Sequence, residues 1–337
     1  MRPDLVKAMN ESVALEPKTG LETLAKLLGI QEIKKPVLGD HPDFNHLRQT
    51  GGFDYHYIVS MFIDVKGSTN FHKKYTLEQI AVIIQTIVTA ATHTCALFGG
   101  HIQRLQYDGV FCYFGGKAVA KDDAVKAAMN AATFFSYFIK YELREIFELE
   151  GIDNVYTRIG IDFGEDKDVQ WVIFGTDQCT ELTTNSLHTS LAPKVQANAV
   201  ANGVMIGDNV KKRLKTLEIY CDLLRDDKGN VDETNRYIYR DVDKSLYYTQ
   251  WRFSWFDYLK TFSFVTTTAD GKVFIDYTAN TIKADAERKR LESLYEKTKI
   301  IASGGAFVTP EKKITGQQTN VKLQDHNFYY DPTKDSK

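Results

Sequence analysis

Between Tyr55 and about Leu217 the chain switches repeatedly between two hydrophobic periods. YHYIVSMFID is an apolar, β-branched and aromatic run of strand length. LEQIAVIIQTIVTAATHTCALF follows, too long for a strand and free of Pro and Gly, which predicts a helix from Thr76 to Phe98. Gly99 and Gly100 supply its stop. HIQRLQ and VFCYF then read as two strands of a tight hairpin, with Tyr107-Asp108-Gly109 as the turn. Asp122 and Asp123 open a second long helix, DDAVKAAMNAATFFSYFIKYELREIFELE, where acids suit the positive end of the helix dipole. YTRIGIDFG is a strand, and VQWVIFG reads as its hairpin partner. A third helix is expected over about Leu187 to Asn202, then a short strand GVMIGD and a short helix NVKKRL. The order is β-α-β-β-α-β with additions, which is the ferredoxin-like arrangement of an α+β fold.

The flanks have different texture. Residues 1–52 carry Pro3, Pro17, Pro36 and Pro42 and one helix-like stretch, LETLAKLLGI, and read as an extension and linker. The core pattern then defines a domain over residues 53–217. Aromatics crowd the segment from Tyr237 to Phe264, and ADAERKRLESLYEKTKIIA is a charged amphipathic helix. Residues 218–302 are therefore expected to form a second, smaller α+β unit, with a polar tail over 303–337. Packing inside a small sheet domain accounts for the aromatics more simply than nucleic-acid stacking does.

Charge and cysteine content narrow the class. There are 42 Lys+Arg against 44 Asp+Glu, a formal net charge of −2, so no overall electrostatic footprint for nucleic acid exists. The four cysteines, Cys95, Cys112, Cys179 and Cys221, form no C-x-x-C and indicate neither a disulfide framework nor a zinc site. The N-terminus lacks the apolar stretch of a signal peptide, and no uninterrupted apolar run reaches ~18 residues. The expectation is a soluble cytoplasmic protein with no membrane and no nucleic-acid partner.

The candidate chemistry sits at strand ends. In Phe62-Ile63-Asp64-Val65-Lys66-Gly67-Ser68-Thr69 an apolar strand ends in a carboxylate, and a Gly-Ser-Thr turn leads towards a helix. A carboxylate there is costly unless it is hydrogen-bonded or faces a cation. The backbone N–H groups of the turn suit a phosphate chain. Asp108 lies at the tip of a hairpin expected beside that strand. Taken singly, each has a plain use, Asp64 as a turn cap and Asp108 as the Asp of a D-G hairpin. Together, beside an anion cradle, they are what Mg²⁺ or Mn²⁺ with a triphosphate requires.

Here the chain resembles the class III nucleotidyl cyclases. FIDVKGST stands at the family's first metal aspartate, and GGHIQRLQYDGVFCYF at the hairpin with its second. RIGIDFG and GVMIGDNVKKRL match the later strand and the closing strand and helix, so the resemblance covers about residues 53–217. It implies two divalent ions per site held by Asp64, Asp108 and the Ile63 backbone, and β/γ-phosphates held by amides of Val65, Lys66, Gly67 and Ser68. The departures matter too. The family's base-reading lysine becomes Arg104, and the Gly before the second aspartate becomes Tyr107. A gapless count puts the second base-reading position at Thr183 and the family's catalytic Asn/Arg pair at Ser190 and Lys194.

These changes argue against a standard adenylyl cyclase. They fit the divergent branch similar to the pyrimidine cyclases of Pycsar antiphage systems, which make cyclic CMP or cyclic UMP. That resemblance implies an aromatic residue narrowing the base pocket, here Tyr57 or else Tyr55. It implies a CTP or UTP substrate and a head-to-tail homodimer whose second subunit supplies Arg104, Thr183, Ser190 and Lys194. A downstream cyclic-nucleotide-binding effector is implied as well. A conventional purine cyclase is the alternative reading, and an inactive nucleotide sensor is the third.

Overall fold

The computed structural model describes residues 24–30, 35–152, 155–176, 178–225, 228–231 and 233–276. The expected helix ADAERKRLESLYEKTKIIA and the tail from Ser303 lie outside the described residues, as does the N-terminal segment before residue 24.

In chain order the strands and helices that place the site are β1 (Phe53–Tyr55), β2 (Ile58–Val65), α1 (Leu77–Leu97), β3 (His101–Gln106), β4 (Gly109–Phe114) and α2 (Lys121–Tyr137). A π turn at Phe138–Glu142 joins α2 to α3 (Leu143–Leu149). Then come β5 (Thr157–Gly164), β6 (Gln170–Thr176), β7 (Cys179–Asn185), α4 (Leu187–Ala197), β8 (Gly203–Gly207) and α5 (Asp208–Arg213). Next come β9 (Cys221–Leu223), β10 (Tyr237–Asp241), β11 (Leu246–Phe253) and α6 (Trp255–Leu259), followed by a two-stranded ribbon of Val265–Thr267 and Val273–Ile275.

The central sheet runs β10-β11-β8-β5-β2-β4-β3. Within it β5-β2-β4-β3 is the antiparallel ferredoxin-like set, and β8 is added parallel to β5. Alternation along β2 sends Val59, Met61, Ile63 and Val65 to one face, where they are buried against α1 and α2. Helix α1 starts on a capping box between Thr76 and Gln79 and ends before Gly99 at φ +78°. It is apolar and long enough to cross a bilayer, yet most of its side chains are spent on this core. Ser60, Phe62 and Asp64 take the opposite face of β2, over which α4 lies.

Three expectations fail here. VQWVIFG is not the partner of β5: β6 pairs with β1 and β7 in a separate three-stranded sheet. One face of that sheet, with Trp171 and Leu182, packs on Phe44 and Leu47, so residues 41–50 are docked structure rather than linker. The segment after residue 217 has no core of its own among the described residues. Strand β11 pairs antiparallel with β8, and Trp255, Tyr258, Phe262 and Phe264 are buried in the same core as α2. Tyr258 donates to Asn130 Oδ1 at 2.7 Å, and the Phe134 and Phe262 rings meet at 5.0 Å. Phe253, Trp255, Tyr258, Phe262 and Phe264 do pack in a core, at about 1.5–3 kcal/mol per buried side chain, but that core is the central one, and Tyr247 is exposed.

Candidate active site

Asp64 is the penultimate residue of β2, opposite Gly109 on β4 and Arg158 on β5. Its Oδ2 accepts hydrogen bonds from Arg158 Nη2 at 2.7 Å and from Gln196 Nε2 of α4 at 3.0 Å. Burial raises its pKa above the ordinary carboxylate range. The negative charge of Asp108 adds to that rise, and the Arg158 and Gln196 hydrogen bonds oppose it. Asp108 sits in the two-residue turn between β3 and β4. Its carbonyl accepts from Val65 N–H at 3.2 Å, and its Oδ2 accepts from the Ser68 hydroxyl. The residue that takes the left-handed conformation in this turn is Tyr107, at φ +48°, while Gly109 has already joined the ladder. A Cβ on Gly109 would lie 3.0 Å from the Phe62 ring. Close packing rather than turn geometry accounts for this glycine.

The two aspartates therefore share one end of the sheet. Neither Oδ1 accepts a hydrogen bond among the described residues, and Arg158 offsets only one of the two charges. No group of three or more His, Cys, Asp or Glu side chains gathers as a metal cage among the described residues. Two carboxylates with open oxygens, and no further protein ligand, are nevertheless the donor set of a Mg²⁺ site completed by substrate phosphate and water. The residues present fit that cation.

Other candidates fall out differently. Ile63 faces Val110 in the β2–β4 register, two residues from the Val65–Asp108 bond. Antiparallel alternation makes Ile63 and Val110 a mutually bonded pair, so the Ile63 carbonyl already accepts one hydrogen bond in the ladder. The Val65 N–H is likewise used on Asp108, and the Lys66 N–H donates to Tyr156 O at 2.8 Å. That leaves the amides of Gly67, at φ +71°, and Ser68, which opens a 3₁₀ turn to Lys73, as the open part of the cradle. The Lys66 side chain is exposed.

Tyr57 is 2% exposed; its hydroxyl donates to Val119 O at 2.5 Å and its ring stacks on Phe163. It is a core residue, and seven residue steps separate it from Asp64, about 23 Å at 3.3 Å each. Tyr55 is 54% exposed on β1 and accepts from Gln170 Nε2. Arg104 is a surface residue of β3, but it is not merely solvated. Its guanidinium is held by both carboxylate oxygens of Glu181, through Nε at 2.9 Å and through Nη2. Thr183 is two residues from Glu181 on the same face of β7, its hydroxyl 3.5 Å from that of Tyr113. Arg104 and Thr183 thus belong to one neighbourhood.

On α4, Ser190 and Lys194 are exposed and one turn apart, whereas His188, Thr189 and Gln196 are buried towards the sheet. Within one protomer the outward pair does not meet Asp64. Three residues the sequence did not single out are Arg158, Gln196 and Glu181. The first was legible in principle: Arg158, Gly160 and Asp162 alternate within RIGIDFG as the non-apolar face of a strand. The other two depend on how α4 and β7 dock, which no local pattern records.

The chain is 37% identical over 244 residues to a cytidylate cyclase of Staphylococcus aureus, a stretch covering 72% of this chain and 57% of that protein. Its sequence is thus similar to that of a cytidylate cyclase over most of this chain. A second, from Escherichia coli, is 31% identical over 188 residues, covering 53% of this chain and 40% of its own length. The chain thus spans about half the length of the curated relatives it matches. Among solved structures, the adenylyl cyclase CyaB from P. aeruginosa aligns with a TM-score of 0.49 at 18% identity, covering 60% of this chain and 95% of that one. No family model matches the chain.

Proposed function

We propose that this protein is a nucleotidyl cyclase that converts a pyrimidine ribonucleoside triphosphate, CTP before UTP, to its 3′,5′-cyclic monophosphate and pyrophosphate. The observation that carries the reading is the pair of aspartates at one sheet end with open oxygens, in a homologue of cytidylate cyclases. Asp64 and Asp108 would hold two Mg²⁺ or Mn²⁺ ions, with Ser68 orienting Asp108. Bound there, the cations would acidify the ribose 3′-OH and offset charge at the α-phosphate as pyrophosphate leaves. The Gly67 and Ser68 amides would face the β/γ-phosphates.

Because Ser190 and Lys194 point away from their own Asp64, the reading requires a second copy to supply them, which supports a head-to-tail homodimer with two equivalent sites. Lys194 would offset the charge on the transferring phosphoryl group. The same copy would supply Arg104, Glu181 and Thr183 to the base. An Arg–Glu pair offers donors beside an acceptor, which matches cytosine O2 and N3 beside its 4-amino group better than uracil. Glu181→Gln should therefore shift the CTP:UTP preference towards UTP, read as the ratio of kcat/KM values. Use of the product as an antiphage messenger, read by a cyclic-nucleotide-binding effector, is the biological extension; loss of phage protection in an Asp64→Ala strain tests it.

The deciding experiment is incubation of purified protein with each of the four ribonucleoside triphosphates and Mn²⁺. Cyclic CMP is the expected main product, lost in both Asp64→Ala and Asp108→Ala. Product from ATP or GTP alone would overturn the pyrimidine reading. Full turnover in both aspartate variants would overturn the metal assignment.

A further inference from the structure

Asp64 is held asymmetrically. Both of its donors, Arg158 Nη2 at 2.7 Å and Gln196 Nε2 at 3.0 Å, converge on Oδ2. A carboxylate on a strand end has two soft torsions, and fixing one oxygen from two sides leaves the other pointing one way. The two donors come from different elements, Arg158 from β5 and Gln196 from α4. Gln196 is only 4% exposed. It is brought within reach because α4 lies directly on β5 at Gly160, where a Cβ would be 2.4 Å from the Gln196 backbone nitrogen. A buried amide spends its donor on a carboxylate only where that bond repays its desolvation. A neutral donor also steadies Asp64 without adding a second positive charge to compete with a cation.

From this geometry we infer that Gln196 is a positioning residue for metal binding: it locks Asp64 Oδ2 so that Oδ1 is presented to the cation beside Asp108. The inference rests on the cyclase reading of the two aspartates. Arg158 alone would leave the carboxylate free to rotate about a single contact. With Gln196 in place the rotation is closed, and the oxygen presented is always the same one. Partners of metal-binding carboxylates are worth about 10- to 100-fold in affinity when removed.

The test is Mn²⁺ binding, read by electron paramagnetic resonance of the free ion, in full-length protein with 3′-deoxy-CTP, which lacks the attacking hydroxyl. Gln196→Met keeps the volume and removes the donor, and is expected to weaken Mn²⁺ binding about tenfold with an unchanged urea midpoint. Gln196→Asn, polar but one methylene short, is the second variant should the methionine side chain disturb folding, and is expected to weaken binding similarly. In an Asp64→Asn background neither change should weaken Mn²⁺ further, because the oxygen they orient no longer carries the charge. Wild-type affinity in a folded Gln196→Met or Gln196→Asn protein overturns the inference. So does a loss that simply adds to that of Asp64→Asn. If Asp64→Asn itself leaves Mn²⁺ affinity unchanged, the cyclase site assignment fails instead, and the two failures are told apart by that arm.

Discussion

Replacing Gly160 by alanine probes the contact that seats the candidate catalytic helix on the sheet. A Cβ there would lie 2.2 Å from Ala192 O, 2.4 Å from Gln196 N and 2.6 Å from Gln196 Cβ. Two of these atoms are helix backbone, so no side chain can simply rotate away. Ordinary carbon–oxygen contacts are about 3.3 Å, so α4 would have to retreat by roughly 1 Å. Overpacking of this kind costs about 1–3 kcal/mol. The same retreat would stretch the 3.0 Å bond from Gln196 to Asp64 past hydrogen-bond range. It would also displace Ser190 and Lys194 on the outer face of the helix. A misplacement of about 1 Å is enough to reduce turnover by roughly 10²-fold. Urea unfolding and steady-state turnover with CTP, on the same preparation, measure both effects. A Gly160→Ala protein with the wild-type urea midpoint and wild-type kcat would show that α4 does not need this close approach to β5.

Other outcomes follow from the same geometry. Because burial and Asp108 raise the pKa of Asp64, its ionised form costs folding stability; that cost is absent below the ordinary carboxylate range and appears as pH rises through the raised pKa. Asp64→Asn should therefore gain in stability relative to wild type as pH rises from the ordinary aspartate range, about 4, through the raised value, by thermal unfolding. Mg²⁺ at a hundred times its dissociation constant should stabilise wild type by about 2.7 kcal/mol and the Asp64→Asn protein by much less; equal shifts would count against the site. Tyr107→Gly relieves a left-handed residue, worth about 1–2 kcal/mol, against about 0.4–1 kcal/mol of added unfolded-state entropy. Since Tyr107 is 64% exposed and loses little packing, a higher denaturation midpoint is expected, and a clear drop would refute the account of the turn. Removing the residues after Thr216 should yield an unfolded or aggregating product by circular dichroism and size-exclusion chromatography; a folded, active fragment would contradict the shared core.

The sequence carried the strand and helix order well where local pattern is strong. The apolar run of β2, the long Pro-free stripe of α1 and the hairpin around Asp108 all declare themselves by period and turn chemistry. It misled where one strand can join either of two sheets. VQWVIFG has the apolar run of a partner for β5, yet Trp171 finds its stacking surface on Phe44, 4.0 Å between ring centroids, and draws β6 to the other sheet. Five aromatics of the segment, Phe253, Trp255, Tyr258, Phe262 and Phe264, are buried as expected but in another core, because burial is a property of residues and core membership a property of topology. At the candidate site the two aspartates were visible as acids at strand ends. Their partners were not: Arg158, Gln196 and Glu181 reach their roles only through register and helix docking. Tyr57 shows the converse, an aromatic at a motif position that packing had already claimed.

The pairing of β11 onto β8 has a temporal consequence. On a ribosome, the strands that present Asp64 and Asp108 emerge well before Gln250–Phe253, which covers the open edge of β8. Until then Asp162 also lacks the Tyr248 hydroxyl that donates to it at 2.6 Å. A half-made chain thus holds both acids but not the finished scaffold, and whatever chemistry the two acids support must wait until translation has passed well beyond the segment that bears them.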